Sequence, residues 1–329
     1  MSARRAKAGR VRARRCVLVV APATDGHARA VQAALRGEGV STALVDTAWF
    51  PERATLQLVL DPHSSWRGAL RCGGAKVIRA DLASTVWWRR PNPYVLHRSL
   101  AGPRRDGAFC AAHAAFGALW SSLGAEWVND PSLEEAADDK PRQLALAARL
   151  ELAVPRSCIT NDPAAARDFI RERPKGETID KNVTSARALW RPTGIALVAD
   201  RKLLSSLRHV PLLLQERVRA EADVRATIVG DELFAAEIVY PNGRPALDWR
   251  VDFRRARVRA VKLPRQVDAR LRRLARELGL VYAAIDLRRR ADGEHVFLEV
   301  NPSGQWLFVE RRTGQRITAA LANLLARGA

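Results

Sequence analysis

Two acidic residues on neighbouring predicted strands form the first candidate site. Residues 281–287 and 297–301 have the apolar pattern of buried strands. The first strand contains Asp286 and the second contains Glu299. The connection carries Asp292-Gly293, which is typical of a two-residue hairpin turn and would place Asp286 directly opposite Glu299. The other face of the hairpin is then apolar, with Ile285, Leu287, Leu298 and Val300.

Two opposed carboxylates, with Cβ atoms about 5 Å apart, repel each other unless a cation lies between them. Asn301 is two residues beyond Glu299 and projects from the same face of the strand. The three side chains together offer oxygen donors, which suit Mg²⁺ and suit neither zinc nor copper. The alternative is an arginine from a neighbouring strand that bridges both acids. The residues alone leave both interpretations open.

Lysine is the second unusual feature, because 48 of the 55 basic residues are arginine and only seven are lysine. A lysine in such a chain is a candidate for a role that needs a compact charge. Mg²⁺ held by few carboxylates usually shares its ligand shell with phosphates, so lysines that contact phosphate are expected nearby. Lys140 and Lys181 are the candidates, although a lone lysine in the predicted strand 178–183 is equally typical of a solvated face.

The order and spacing of these residues resemble the ATP-grasp superfamily over nearly the whole chain. The matching residues are Lys140, Lys181, 215–218 (QERV), 223–225 (DVR), Asp286 and 299–301 (EVN). Within the superfamily the chain is most similar to ATP-grasp ligases of the microviridin type, or graspetide synthetases. The motifs that carry this likeness are 87–91 (WWRRP), 119–123 (LWSSL), 127–129 (WVN), 160–163 (TNDP), 248–250 (DWR) and 299–308 (EVNPSGQWLF). The similarity extends to ribosomal-protein glutamate ligases.

The resemblance implies a role for each matching residue. The ATP-binding residues would be Lys140 and Lys181 at the phosphates, Gln215, Glu216 and Val218 at the adenine hinge, and Asp223 against the nucleoside. The metal ligands would be Asp286, Glu299 and Asn301, holding two Mg²⁺ ions with Glu299 as the bridge. Arg225 and Arg250 would be the catalytic cations near the γ-phosphate or the activated carboxylate, with surface ion pairs as their alternative role.

The resemblance also implies a reaction. The enzyme would use ATP and Mg²⁺ to convert Asp or Glu side chains of a ribosomal precursor peptide into acyl phosphates, with release of ADP. A hydroxyl or amine of the same peptide would then form an ester or amide macrocycle, so the peptide should be rich in acidic and Thr/Ser or Lys residues. The alternatives are an amino-acid ligase that extends a peptide or protein end and, less favoured, a nucleic-acid-binding protein, since the net charge is +20.

The elements that must position these residues alternate between strands and helices, which predicts an α/β fold, α+β in parts. One long helix is predicted over residues 132–150. The expected organisation begins with a disordered basic tail (1–15). The resemblance then implies a pre-ATP-grasp α/β domain (16–128), a central ATP-grasp or lid domain (129–214), and a C-terminal ATP-grasp domain with the metal site (215–329).

Composition limits the remaining possibilities. No apolar run approaches the roughly 20 residues that span a bilayer, so no membrane segment is expected. The four cysteines include no Cys-x-x-Cys pair, which indicates neither zinc nor a disulfide framework and fits a cytoplasmic protein. The basic balance suits an acidic peptide partner. A homodimeric state stays open.

Overall fold

The computed structural model describes residues 16–60, 62, 66–72, 76–183, 193–198, 200–240, 247 and 255–328. The basic tail of residues 1–15 and the candidate Arg250 lie outside the described residues. The chain forms two compact units, one that ends at Val128 and also takes in the residues from Ala322 onward, and one that comprises Asn129–Leu321. Among the helices that the structure describes, none is long and apolar enough to cross a membrane.

A parallel sheet forms the centre of the first unit. Its strands are β1 (Cys16–Val20), β2 (Ser41–Val45), β6 (Ala83–Trp88) and β7 (Glu126–Val128), in the order β2-β1-β6-β7. Residues 17–20 of β1 are completely buried, as expected for a central strand of a parallel sheet. Helix α1 (Gly26–Gly37) connects β1 to β2, and the Asp25 carboxylate caps it by accepting a 2.7 Å hydrogen bond from the Ala28 N–H.

A three-stranded antiparallel sheet packs against helix α2 (Gly102–Ser121) in the same unit. The strands are β3 (Ala54–Leu60), β4 (Trp66–Cys72) and β5 (Lys76–Arg79). Their inner side chains form one apolar core with Phe116 and Leu119 of α2. Gly68 allows the close approach, because a Cβ atom there would lie 2.3 Å from Leu119 Cδ1. The two arginines and the glycine of β4 interrupt the apolar alternation that would indicate a strand in the sequence.

The second unit contains two antiparallel sheets. The smaller has the order β10-β9-β11-β8, with β8 (Ser157–Thr160), β9 (Thr178–Lys181), β10 (Gly194–Ile195) and β11 (Leu212–Glu216). Helices α5 (Pro163–Arg171) and α6 (Arg201–Ser206) cover one of its faces. The larger sheet has the order β14-β13-β12-β15-β16, with β12 (Ala222–Val229), β13 (Glu232–Val239), β14 (Arg257–Val261), β15 (Tyr282–Arg289) and β16 (His295–Asn301).

The larger sheet has two different faces. Its apolar face packs against α4 (Lys140–Arg149) and α7 (Arg265–Glu277) in one core cluster. Because side chains alternate along a strand, the other face of β12, β15 and β16 carries the charged candidates. The remaining helices of the unit are α3 (Pro131–Ala137), α8 (Leu307–Thr313) and the first residues of α9 (Ile317–Arg327).

The single long helix predicted over residues 132–150 is wrong. The segment forms two helices, α3 and α4, which are separated at Asp138 and Asp139. The Asp139 carboxylate caps α4 by accepting a 3.0 Å hydrogen bond from the Arg142 N–H, and Pro141 occupies the first turn, where proline favours a helix start. Lys140 is therefore the first residue of a helix and not part of a helix interior.

The hairpin of β15 and β16 places Asp286 opposite Glu299, as predicted, but by a different route. The turn has three residues, because the Arg290 N–H donates to the Glu294 carbonyl at 2.9 Å, and Gly293 adopts a φ of +88°. The register then shifts by one residue between Asp286 and Leu287, which restores the predicted pairing. The prediction for Leu298 is wrong, since Phe297 pairs with Leu287 and fills the apolar face instead.

Candidate active site

The acid pair lies on the charged face of the larger sheet. Asp286 is 7% exposed and the Glu299 side chain is 21% exposed. Asn301 is two residues further along β16, and its Oδ1 accepts a 3.2 Å hydrogen bond from the Ser303 N–H. Among the described residues no group of three or more His, Cys, Asp or Glu could hold a metal ion. The donors at this site are two carboxylates and one amide oxygen, a set that fits Mg²⁺.

Two different cations lie against the two acids. Arg225 pairs with Asp286 across β12 and β15, and its Nε is 3.2 Å from Asp286 Oδ1. The Lys140 ammonium is 3.5 Å from Glu299 Oε2. The alternative of an arginine from the neighbouring strand therefore describes the surroundings of Asp286 in this structure. Metal binding by the pair stays a prediction, as does the role of Arg250, which lies outside the described residues.

Both candidate lysines point to this site. Lys140 Nζ is 3.4 Å from the Asn182 carbonyl, next to the end of β9, and Lys181 is the last residue of β9. Burial lowers the pKa of Lys181 below its ordinary value of 10.5, and Lys140 lowers it further, while Glu299 opposes the shift. A buried ammonium with a lowered pKa is stabilised by an added anion, so the surroundings of Lys181 favour a negatively charged ligand.

The residues predicted to form the adenine hinge begin on β11, the strand that pairs with β9 and Lys181. The Lys181 ammonium donates a 3.1 Å hydrogen bond to Gln215 Oε1, and Gln215 Nε2 donates to Ser157 Oγ at 3.0 Å. Gln215 and Glu216 end β11, and Val218 follows in the segment that leads to β12. The structure thus brings the predicted phosphate cation Lys181 next to the predicted hinge. Their roles towards a nucleotide stay predictions.

Asp223 contacts a residue that the sequence did not single out. Arg288 Nε donates to Asp223 Oδ1 at 2.9 Å, and both side chains are buried. One carboxylate oxygen of Asp223 therefore serves an ion pair, and its predicted place against the nucleoside stays untested. The available signal for Arg288 was its position two residues after Asp286, which puts both on one face of β15.

A buried amide supports the acid strands from the start of the unit. Asn129 Nδ2 donates to the carbonyls of Tyr282 and Pro302 at 2.9 and 3.1 Å. Asn129 Oδ1 accepts from the N–H groups of Val281 and Tyr282 at 2.8 and 2.9 Å. One side chain thus joins the beginning of β15 to the loop that follows β16. The sequence identified Asn129 only as part of a motif and did not predict this role.

A second buried amide holds the centre of β16. Gln143 of α4 donates from Nε2 to the Val300 carbonyl at 2.9 Å and accepts from the Val300 N–H at 2.7 Å. Val300 lies between Glu299 and Asn301, so this contact fixes the backbone that carries two of the three predicted metal ligands. Gln143 is one of many polar residues in the sequence, and neither its type nor its spacing indicated this role.

Comparison with protein families matches residues 137–325 to the RimK-like ATP-grasp domain. Among solved structures, the macrocyclase MdnC bound with precursor peptide MdnA from Microcystis aeruginosa MRC is 24% identical with a TM-score of 0.83, covering 94% of this chain and 98% of that chain. Macrocyclase MdnB from the same organism is 25% identical with a TM-score of 0.82, covering 94% and 99%.

A third similar structure is the ATP-grasp ligase PsnB complexed with minimal precursor, Mg and ADP. It is 26% identical with a TM-score of 0.74, covering 95% of this chain and 97% of that chain. Comparison with curated proteins gives no match. The α/β ATP-grasp fold predicted from the sequence is confirmed.

Proposed function

Because the chain belongs to the RimK-like ATP-grasp family, which matches it over residues 137–325, we propose that it cyclises a ribosomally made peptide. The chain is an ATP-grasp ligase that uses ATP and Mg²⁺. In the proposed reaction a substrate carboxylate attacks the γ-phosphate of ATP, and ADP leaves. An amine or hydroxyl of the same peptide then attacks the acyl phosphate and displaces inorganic phosphate, which leaves an amide or an ester ring.

The observation that carries this proposal is the opposed pair Asp286 and Glu299 with Lys140 and Lys181 beside it. Asp286, Glu299 and Asn301 would hold two Mg²⁺ ions, which neutralise charge on phosphate oxygens when bound. Lys140 and Lys181 would bind the phosphates directly. The lowered pKa of Lys181 supports this role, because a phosphate would stabilise an ammonium that burial disfavours.

The other candidate residues bind or orient the reactants. Gln215, Glu216 and Val218 would bind the adenine, where the chain leaves β11. Arg225 would orient the attacking carboxylate or the γ-phosphate, since its guanidinium already lies against Asp286 and is suited to planar anions. Arg250 would assist it. No protein nucleophile is required, because the phosphorylated carboxylate is itself the activated species.

The proposed substrate is a precursor peptide with acidic and Thr/Ser or Lys residues. MdnC and PsnB were each solved with a precursor peptide, and the net charge of +20 would attract an acidic chain. An amino-acid ligase that extends a peptide or protein end is the second candidate, on the strength of the RimK-like match. A homodimer and a cytoplasmic location complete the proposal, and four free cysteines suit a reducing compartment.

The test is ADP release by the purified protein with MgATP and candidate peptides. We expect release to be stimulated by an acidic precursor peptide, which loses one water for each ring in its mass spectrum. Replacing the peptide carboxylates with amides should abolish both signals. ADP release that requires a free amino acid, with a gain in peptide mass, would favour the second candidate and contradict the first. Light scattering of the same sample measures the oligomeric state.

A further inference from the structure

Arg288 is a buried cation that the proposed reaction does not use. It is 6% exposed, and it faces Asp223 in the register of β12 and β15. Two residues away on the same face, Asp286 of β15 faces Arg225 of β12. Two cross-strand ion pairs of opposite orientation thus lie side by side. Asp223 balances the charge of Arg288 but does not satisfy all five of its N–H donors, so the buried guanidinium needs further acceptors.

The other nitrogens of Arg288 contact backbone from two more segments. Arg288 Nη1 donates to the Val218 carbonyl at 3.0 Å, and Nη2 donates to the Leu247 carbonyl at 3.3 Å. A planar guanidinium directs its donors in fixed directions, so the Asp223 contact orients the group towards both carbonyls. A lysine ammonium could keep the ion pair but could not span all three acceptors.

The Val218 carbonyl belongs to irregular backbone. Between β11 and β12 the chain forms no strand, and the ends of this connection are held by backbone hydrogen bonds. The Arg217 N–H donates to the Glu177 carbonyl and the Glu221 N–H donates to the Arg289 carbonyl, each at 2.9 Å. Arg288 holds the part in between. The orientation of the Val218 carbonyl therefore depends on a side chain of the metal-site strand.

We propose that Arg288 is a positioning residue for the nucleotide, which fixes the backbone at Val218 in the conformation that binds adenine. The inference rests on the hinge role of Val218 in the proposed function. It adds a residue outside that set and gives Asp223 a second role, as the anchor of Arg288. Losing the contact with the Val218 carbonyl should weaken binding of the adenine. A variant that keeps a positive charge at position 288 also keeps the effect of that charge on Lys181, so it should bind the phosphates as the wild type does.

The experiment compares Arg288→Lys with Arg259→Lys. Arg259 lies on β14, two strands from β12, and pairs with Glu237 of β13 at 2.6 Å. Both variants replace a guanidinium with an ammonium, and both can keep an ion pair. Calorimetric titration with MgADP and with magnesium tripolyphosphate, which lacks the adenosine, needs no peptide. Thermal unfolding confirms that each variant is folded.

We expect Arg288→Lys to weaken MgADP binding by roughly tenfold, the loss typical of one hydrogen bond from a charged donor. Arg259→Lys should bind MgADP as the wild type does, and all three proteins should bind tripolyphosphate equally. Equal MgADP affinities, or equal losses for MgADP and tripolyphosphate, overturn the inference. If the wild-type protein binds no MgADP, the proposed hinge role of Val218 is overturned together with the inference. If the protein binds nucleotide but does not cyclise a peptide, only the proposed function is contradicted.

Discussion

Glu299→Gln removes one negative charge from the acid pair and keeps the side-chain shape. In the structure Glu299 faces Asp286 directly and lies 3.5 Å from the Lys140 ammonium. The repulsion relieved and the ion pair lost are each worth roughly 0.2–1 kcal/mol, so they nearly cancel. We expect the free energy of unfolding to change by less than about 1 kcal/mol, which corresponds to a shift of Tm within about 4 °C.

Activity should respond very differently. A neutral amide oxygen attracts Mg²⁺ less strongly than a carboxylate does, and Asn301 already supplies one amide, so Glu299→Gln would leave Asp286 as the one carboxylate of the predicted ligand set. Changes even outside the ligand shell cost about 10- to 100-fold, so ADP release with peptide should fall by at least about 100-fold in Glu299→Gln. Glu294→Gln is the matched control, because Glu294 is exposed on the same hairpin and pairs only at the surface, 3.1 Å from Arg290.

The assay measures ADP release at several magnesium concentrations for the wild type and both variants, with thermal unfolding of each. The reasoning is refuted if Glu299→Gln releases ADP at the wild-type rate, since Glu299 would then not be needed for metal binding. A large fall in the Tm of Glu299→Gln would contradict the stability prediction, because it would mean that the Lys140 contact outweighs the repulsion from Asp286.

Two further predictions concern other charged side chains. Lys181→Arg should lower ADP release by roughly tenfold or more, because a guanidinium is too large for the buried site of the ammonium. The control is Lys175→Arg, which changes an exposed lysine and should leave ADP release unchanged. Equal activity of the two variants would contradict the role of Lys181 in phosphate binding. Burial raises the pKa of Glu237, but hydrogen bonds from Arg259 and Arg289 outweigh it and lower the pKa below 4.5. The Glu237 carboxylate therefore stabilises the fold above pH 4.5, and this contribution is lost as the pH falls through the lowered pKa. Glu237→Gln should reduce the free energy of unfolding by about 2 kcal/mol near neutral pH and by progressively less in acid, and urea unfolding with a pH-independent difference would contradict this assignment.

The hairpin illustrates how far the sequence could predict the site. Alternation and a two-residue turn at Asp292-Gly293 predicted Asp286 opposite Glu299, which is the pairing in the structure. The same dipeptide fits turns of two or three residues, so the length of the turn was predicted wrongly. The bulge after Asp286 compensated for this error, and it also moved Phe297 into the core in place of Leu298. The alternation of apolar residues and the turn dipeptide do not indicate that a bulge will offset an error in turn length.

The sequence did not identify the roles of Arg288, Asn129 and Gln143, for a different reason. Arg288 is one of 48 arginines, and Asn129 and Gln143 are polar residues in a chain with 27% charged residues. Their types and spacing are ordinary, and only their burial distinguishes them. The partners of Asn129 lie more than 150 positions away in the chain. A pattern read from a short stretch of sequence cannot include two residues that are so far apart.

The sequence by itself determined what neighbouring residues decide together: the alternation of β15 and β16, the capping of helices by aspartate, and the face on which Asp286, Glu299 and Asn301 lie. The tertiary structure alone decided which cations meet those acids, with Arg225 at Asp286 and Lys140 at Glu299. The physical reason is that alternation, turns and caps follow from backbone geometry within a few residues. The contacts of a buried charge depend on strands that are distant in the chain and meet only when the sheet has formed.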